Sequence, residues 1–113
     1  MERRQTRSDI PSEATRLFCE SMAKRLHARA LVLASEDGLT VSGAGSSDEL
    51  DLLAALAVIH PSQISSMTRE NEPTYTLPMR IDGTYLMLAS IGGEPPKADE
   101  ACAAVERILF HAA

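Results

Sequence analysis

Ten residues in the middle of the chain, Leu50 to Ile59 (LDLLAALAVI), carry a single polar side chain, Asp51. Wound into a helix they are apolar around the whole circumference, and such a helix has to be covered on every side. A bilayer crossing needs about 20 apolar residues, so the cover must be protein. The 113 residues make one domain, and a domain near this size buries roughly two thirds of the surface its unfolded chain exposes. That leaves little material to wrap a wholly apolar helix. The segment therefore predicts a helix with one side on its own core and the other against a second copy of the chain.

The flanking sequence supplies the remaining elements. Residues 1–11 read as a charged N-terminal arm, with Asp9 or Ser12 capping a helix around Pro11, and residues 12–113 as a single domain. Ala14, Leu17, Phe18, Met22 and Leu26 recur at helical spacing, with Arg16, Glu20, Lys24 and Arg25 on the other faces. The continuous run Ala30 to Ala34 suits a strand covered on both faces, and Glu36-Asp37-Gly38 turns it into a second strand, Leu39 to Ser42. Ser46 and Glu49 have capping-box spacing ahead of the apolar helix. His60-Pro61 ends or kinks that helix before a further short piece around Ile64 to Met67. Asp82-Gly83 joins strands Thr74 to Ile81 and Thr84 to Ile91, where Pro78 marks an edge or a bulge. A last helix follows Glu94-Pro95-Pro96-Lys97 and carries Ala101, Val105, Ile108 and Leu109 on one stripe. The order helix, hairpin, helix, hairpin, helix predicts an α+β domain with an antiparallel sheet and helices on both faces.

Charge and cysteine narrow the function classes. Residues 1–29 hold seven Lys/Arg against four Asp/Glu, and residues 30–113 hold four against twelve, which together give the net −5. The few arginines have no aromatic residues among them, which argues against nucleic-acid binding. No apolar stretch follows MERRQTRSDIP as a leader would require, and Cys19 and Cys102 fall on apolar helix faces, so reduced, buried cysteines and a cytoplasmic location are expected.

ARALVLASEDGLTVSGAGSSDELDLLAALA, from Ala28 onward, resembles the core of a Roadblock/dynein light-chain domain, and IDGTYLMLASIGG with the terminal helix fits the remainder. The resemblance implies a homodimer whose second helices lie side by side on one face of a sheet continuous across the two subunits, with helices 1 and 3 on the other face. It also implies a non-catalytic platform, most like the bacterial members that partner Ras-like GTPases in cell polarity and gliding motility. The chain departs from the family pattern in having no room for a strand between the second hairpin and the last helix, and in carrying Pro61 and Pro78.

Residues able to do chemistry are better explained structurally. The loop Gly43-Ala44-Gly45-Ser46-Ser47 lacks the lysine of a phosphate-binding loop, and Asp48 and Glu49 already occupy the helix's positive end, so it reads as a turn and a cap. His27, His60 and His111 have no second ligand at metal spacing, there is no G-x-S-x-G nucleophile motif, and Glu36-Asp37 belongs to a turn. No catalytic, cofactor or metal site is expected. The expected dimer interface is Leu52, Leu53, Leu56, Ile59, Leu77 and Met79, with Asp48, Asp51, Gln63 and Arg69 at its rim as partner-binding residues. The function expected is a regulatory adaptor that binds itself and a small Ras-like GTPase or another Roadblock-family protein, with no membrane insertion. The alternatives are a GTPase-activating partner and a profilin-like ligand sensor or enzyme.

Overall fold

The computed structural model describes residues 12–69, 71–81 and 83–111. The arm expected over 1–11, with its cap candidate Asp9 and Pro11, lies outside these described residues. Helix α1 spans Ser12–Leu26, strands β1 and β2 span Ala30–Ser35 and Thr40–Ala44, and α2 spans Ser47–Ile59. A 3-10 turn, Pro61–Met67, leads to β3 (Thr74–Ile81), β4 (Thr84–Ile91) and α3 (Ala98–His111). The four strands form one antiparallel sheet in the order β2-β1-β4-β3. Among the described residues no strand lies between β4 and α3. Pro78 sits on β3, an edge strand, where its missing amide costs no pairing to a further strand.

Strand alternation divides the core in two. Leu31 and Leu33 of β1, Leu86 and Leu88 of β4 and Met79 of β3 point to one face, where Cys19, Met22, Ala23 and Leu26 of α1 and Ala101 and Val105 of α3 cover them. Ile108 is half-buried, and the side chain of Leu109 lies outside those described. On the other face Ala30, Val32, Ala34, Ala89 and Ile91 meet Leu50, Leu53, Ala54 and Ala57 of α2, together with Ile64 from the 3-10 turn. Helices 1 and 3 thus share one side of the sheet and helix 2 takes the other. Both cysteines are free thiols, and burial pushes that of Cys19 up to about 12, which keeps it protonated and unreactive.

Local chemistry sets the element ends. Ser46 accepts a hydrogen bond from the Glu49 amide at 3.4 Å, capping α2, while Pro61 offers no amide to prolong it. A register shift between Leu33 and Ala34 bulges the first hairpin, so that Ala34 stands opposite Thr40 where even pairing would give Val41, and β2 runs Thr40–Ala44 where the sequence predicts Leu39 to Ser42. At the end of α1, His27 adopts a left-handed conformation (φ 59°), with the Ala28 amide bonded to Ala23 O at 2.9 Å and the His27 amide to Lys24 O at 3.3 Å. The Glu94 amide closes on Leu26 O at 2.9 Å over Gly93, where a Cβ would stand 2.0 Å from that same oxygen.

Two substitutions at this corner should act in opposite directions. His27→Gly removes the side-chain penalty of the left-handed cap and should stabilise the protein by up to about 1 kcal/mol. Gly93→Ala forces a methyl into the Leu26 carbonyl and should destabilise it by about 1–3 kcal/mol or more. Urea midpoints measure both, and a Gly93→Ala protein as stable as the parent would contradict this packing.

Candidate protein-interaction face

Helix α2 is apolar on two sides, and only one of them is used by its own sheet. Leu50, Leu53, Ala54 and Ala57 point inward, whereas Leu52 is 50% and Ile59 60% exposed, with Ala55 and Leu56 half-buried between them. Positions 52, 55, 56 and 59 have the i, i+3, i+4, i+7 spacing of a single helical stripe. Leu52 and Ile59 stand in solvent while Leu56 packs at the margin of the core, although helix stripes of this composition are ordinarily buried throughout.

The surroundings of the stripe differ on its two flanks. On the β2 flank, Asp51 accepts a hydrogen bond from Thr40 Oγ1 at 2.7 Å, and Gly38 packs beneath Ala55 and Ile59, leaving a shallow recess beside exposed Leu39. On the other flank the sheet extends past α2, which packs on β1, β2 and β4. Register places Thr76, Pro78 and Arg80 of β3 beside Ala89, Met87 and Tyr85 of β4 on this face. Thr76, Pro78 and Arg80 are exposed and Met87 is half-buried. The outer wall of α2 and this stretch of sheet form a step, bounded by the 3-10 turn, which packs against both α2 and β3.

The residues expected in the seam divide accordingly. Leu52, Leu56 and Ile59 lie on the outer stripe. Leu53 does not: it is fully buried, because its position between Leu50 and Ala57 directs it into the sheet. Leu77 and Met79 are also corrected, since pairing with Leu88 and Leu86 turns them to the opposite face, beneath α1 and α3. Asp48, Gln63 and Arg69 are exposed, as is Asp51 despite its bond to Thr40.

The polar cluster beside the stripe has no sequence signature. Arg29, in the link between α1 and β1, directs Nη1 to Glu49 in the first turn of α2. Its Nε and Nη2 donate to the two carboxylate oxygens of Glu72 at 2.7 and 3.1 Å, and Nη2 also reaches Met67 O at 3.3 Å. Three partly buried charges are thereby held together, with side-chain exposures of 18–25%. The hydrogen bonds from Arg29 and from the Arg69 amide hold the Glu72 carboxyl down at about 2. Glu49 gives its carboxylate to Arg29, so only the Ser46 half of the capping box is made.

Other surfaces offer less. A cleft of about 530 Å³ between α1 and α3 is walled by Leu17, Phe18, Met22 and Ile108, with the Arg25–Glu100 bridge (3.0 Å) on its rim and no converging set of polar groups. Among the described residues no three of His, Cys, Asp or Glu gather as metal ligands, and no helix is long and apolar enough to cross a membrane. Gly43 lies inside β2, where an added Cβ would stand 2.7 Å from Leu31 O and 2.8 Å from the Leu50 side chain, so the glycine-rich stretch is strand and helix cap.

The depressed Glu72 carboxyl makes an acid-stability prediction. A folded value below the unfolded one contributes stability that is complete above the ordinary carboxylate range and is lost as pH falls through the folded value. The protein should lose stability between about pH 4.5 and 2, and Glu72→Gln should flatten that part of the profile. Urea midpoints across this range measure it, and parallel profiles for the two proteins would contradict the Arg29–Glu72 pairing.

No family model matches the chain, and no curated protein sequence matches it. Solved structures do. MglB of Myxococcus xanthus superposes with a TM-score of 0.57 at 14% identity, over 90% of this chain and 92% of that one. The gliding protein MglB of Thermus thermophilus gives 0.59 at 18% identity over 89% and 92%. An MglB structure described as having a tetrameric arrangement gives 0.55 at 18% over 89% and 90%. The chain therefore has the Roadblock-like fold of the MglB gliding proteins.

Proposed function

We propose that this chain is a non-catalytic regulatory adaptor that forms a homodimer through α2 and uses the paired helices to bind a small Ras-like GTPase or another Roadblock-family protein, in the control of cell polarity or gliding motility. The observation that carries this reading is the second apolar stripe of α2, in which Leu52 and Ile59 are exposed and Ala55 and Leu56 half-buried, on a helix whose inner stripe already fills the core. The shelf formed by β3 and β4 lies beside it, so an α2 from a second copy can pack against the first while resting on sheet. The likeness in fold to gliding proteins, one of them tetrameric, is consistent with self-association and with a role in motility.

A two-fold dimer presents every exposed residue twice, which suits one partner straddling the axis or two related partners. Asp48, Asp51, Gln63 and Arg69 would rim that surface, where charge tunes association rate and partner choice more than it holds the dimer together. Asp51 is suited to this because Thr40 fixes its carboxylate at the helix flank, clear of the outer stripe. The chain's own glycine stretch supplies no nucleotide site, so nucleotide belongs to the partner.

Full burial of Leu52, Leu56 or Ile59 contributes about 1.5–3 kcal/mol each. Leu56→Glu should therefore convert the dimer to monomer or aggregate, whereas Asp51→Lys should leave the dimer intact and weaken binding to a Ras-like GTPase. Light scattering at high micromolar concentration reads the first effect, and a wild-type protein that stays monomeric there rules the seam out. Calorimetry with GTP and magnesium on the isolated chain should give no binding heat, and a micromolar dissociation constant would contradict an adaptor without its own nucleotide site. Single-turnover hydrolysis on the bound GTPase then separates a passive adaptor from an activator.

A further inference from the structure

Between the end of α2 and the start of β3 the connection 60–73, described at all positions but Glu70, packs against α2 and β3 through its 3-10 turn. Most hydrogen bonds in this connection are its own: the Gln63 amide to His60 O at 2.9 Å, Ser66 Oγ to Gln63 O and Thr68 Oγ1 to Ser65 O at 2.7 Å each. Its ends are tied through the backbone, the His60 amide to Leu56 O at 2.8 Å and the Gly92 amide to Pro73 O at 2.7 Å, and two side-chain anchors hold it between them. One is apolar, the fully buried Ile64 with half-buried Met67. The other is Arg29, whose backbone amide is bonded to Ile91 O of the central strand β4 at 2.8 Å. From that fixed base its guanidinium holds Glu49 at the start of α2, and Met67 O and Glu72 near the far end of the connection.

Glu72 extends the grip by accepting the Arg69 amide at 2.7 Å, which closes the turn containing Asn71 in its left-handed conformation (φ 65°). Gly92 sits beneath the cluster. Its own φ is +86°, and a Cβ there would stand 3.3 Å from the Arg29 amide nitrogen and 3.8 Å from Glu72 Oε2.

We propose that Arg29 and Glu72 are positioning residues for the interaction face: their clasp holds the connection 60–73, with exposed Gln63 and Arg69, in fixed register with α2. This rests on the reading of α2 as a dimer seam. Ile59, the most exposed residue of the stripe, lies in the last turn of α2, just ahead of the His60-Pro61 pair that ends the helix. The last turn of α2 closes on the His60 amide, bonded to Leu56 O at 2.8 Å, so the residue that ends the helix is also the first residue of the connection. A guanidinium shared by two partly buried carboxylates is screened little by salt, and its fork geometry fixes direction as well as distance. Arg29 is raised by its carboxylate partners and Glu72 held down by Arg29, so that pair stays charged across the physiological pH range and the clasp is a permanent brace.

The test is hydrogen exchange and sedimentation of full-length Glu72→Gln, which keeps the side chain's shape and removes its charge. Exchange at residues 62–72 and in the last turn of α2 (57–60) should rise about tenfold or more, with β1 and β4 unchanged, and the dimer dissociation constant should rise about tenfold. Should Glu72→Gln fail to fold, Arg29→Lys, which keeps the charge and loses the fork, replaces it. A rise confined to 62–72, a uniform rise across the sheet, or unchanged self-association despite faster exchange would each overturn the proposal. If the wild-type protein shows no self-association, the seam reading has failed, and exchange at 57–60 alone decides whether the clasp positions the helix.

Discussion

Everything in this molecule is arranged around two adjacent strands, β1 and β4, that are buried on both faces and present different side chains to each. Leucines 31, 33, 86 and 88 face α1 and α3, while Ala30, Val32, Ala34 and Ala89 face α2. Large side chains on one face need two helices to cover them, and small ones on the other let a single helix lie close. Gly43 extends this on β2, where an added Cβ would be 2.8 Å from the Leu50 side chain. On this floor four residues of α2 are buried together with Ile64 of the 3-10 turn, and Leu56 and Val58 pack at its margin. Leu52 and Ile59 are left exposed, and that surplus is the physical basis of the proposed dimer.

The element order, the capped start of α2 and both hairpins are legible in the sequence because each depends on local chemistry: a serine at a helix start, Asp-Gly at a turn, proline at a stop. The rotation of α2 is not. A helix with apolar residues on every side has no phase to read, so nothing in LDLLAALAVI distinguishes Leu53, which faces the sheet, from Leu52, which faces solvent. A similar limit misplaces Leu77 and Met79. Alternation puts them on one face of β3, but which helices cover that face is decided by pairing with β4, far from any signal within the strand.

The clasp is hidden for a different reason. Arg29, Glu49 and Glu72 belong to a link, a helix start and a turn, and sequence patterns with periods of two or 3.6 residues carry no information about contacts made across a sheet. Glu49 has the spacing of a capping residue and is used instead as an ion-pair partner. Charged residues at element ends are thus the least predictable part of the design, and here they bound the face on which the proposed function depends.

The most direct test of that face is an isotope-filtered NOE experiment on a mixture of labelled and unlabelled chain, which records contacts between copies and no others. Methyl contacts from Leu52, Leu56 and Ile59 to the same stripe of the other copy are expected, with weaker ones to Met87 on the shelf. Contacts confined to Leu17 and the cleft between α1 and α3, or none at concentrations well above those of the scattering experiment, would contradict a dimer built on α2.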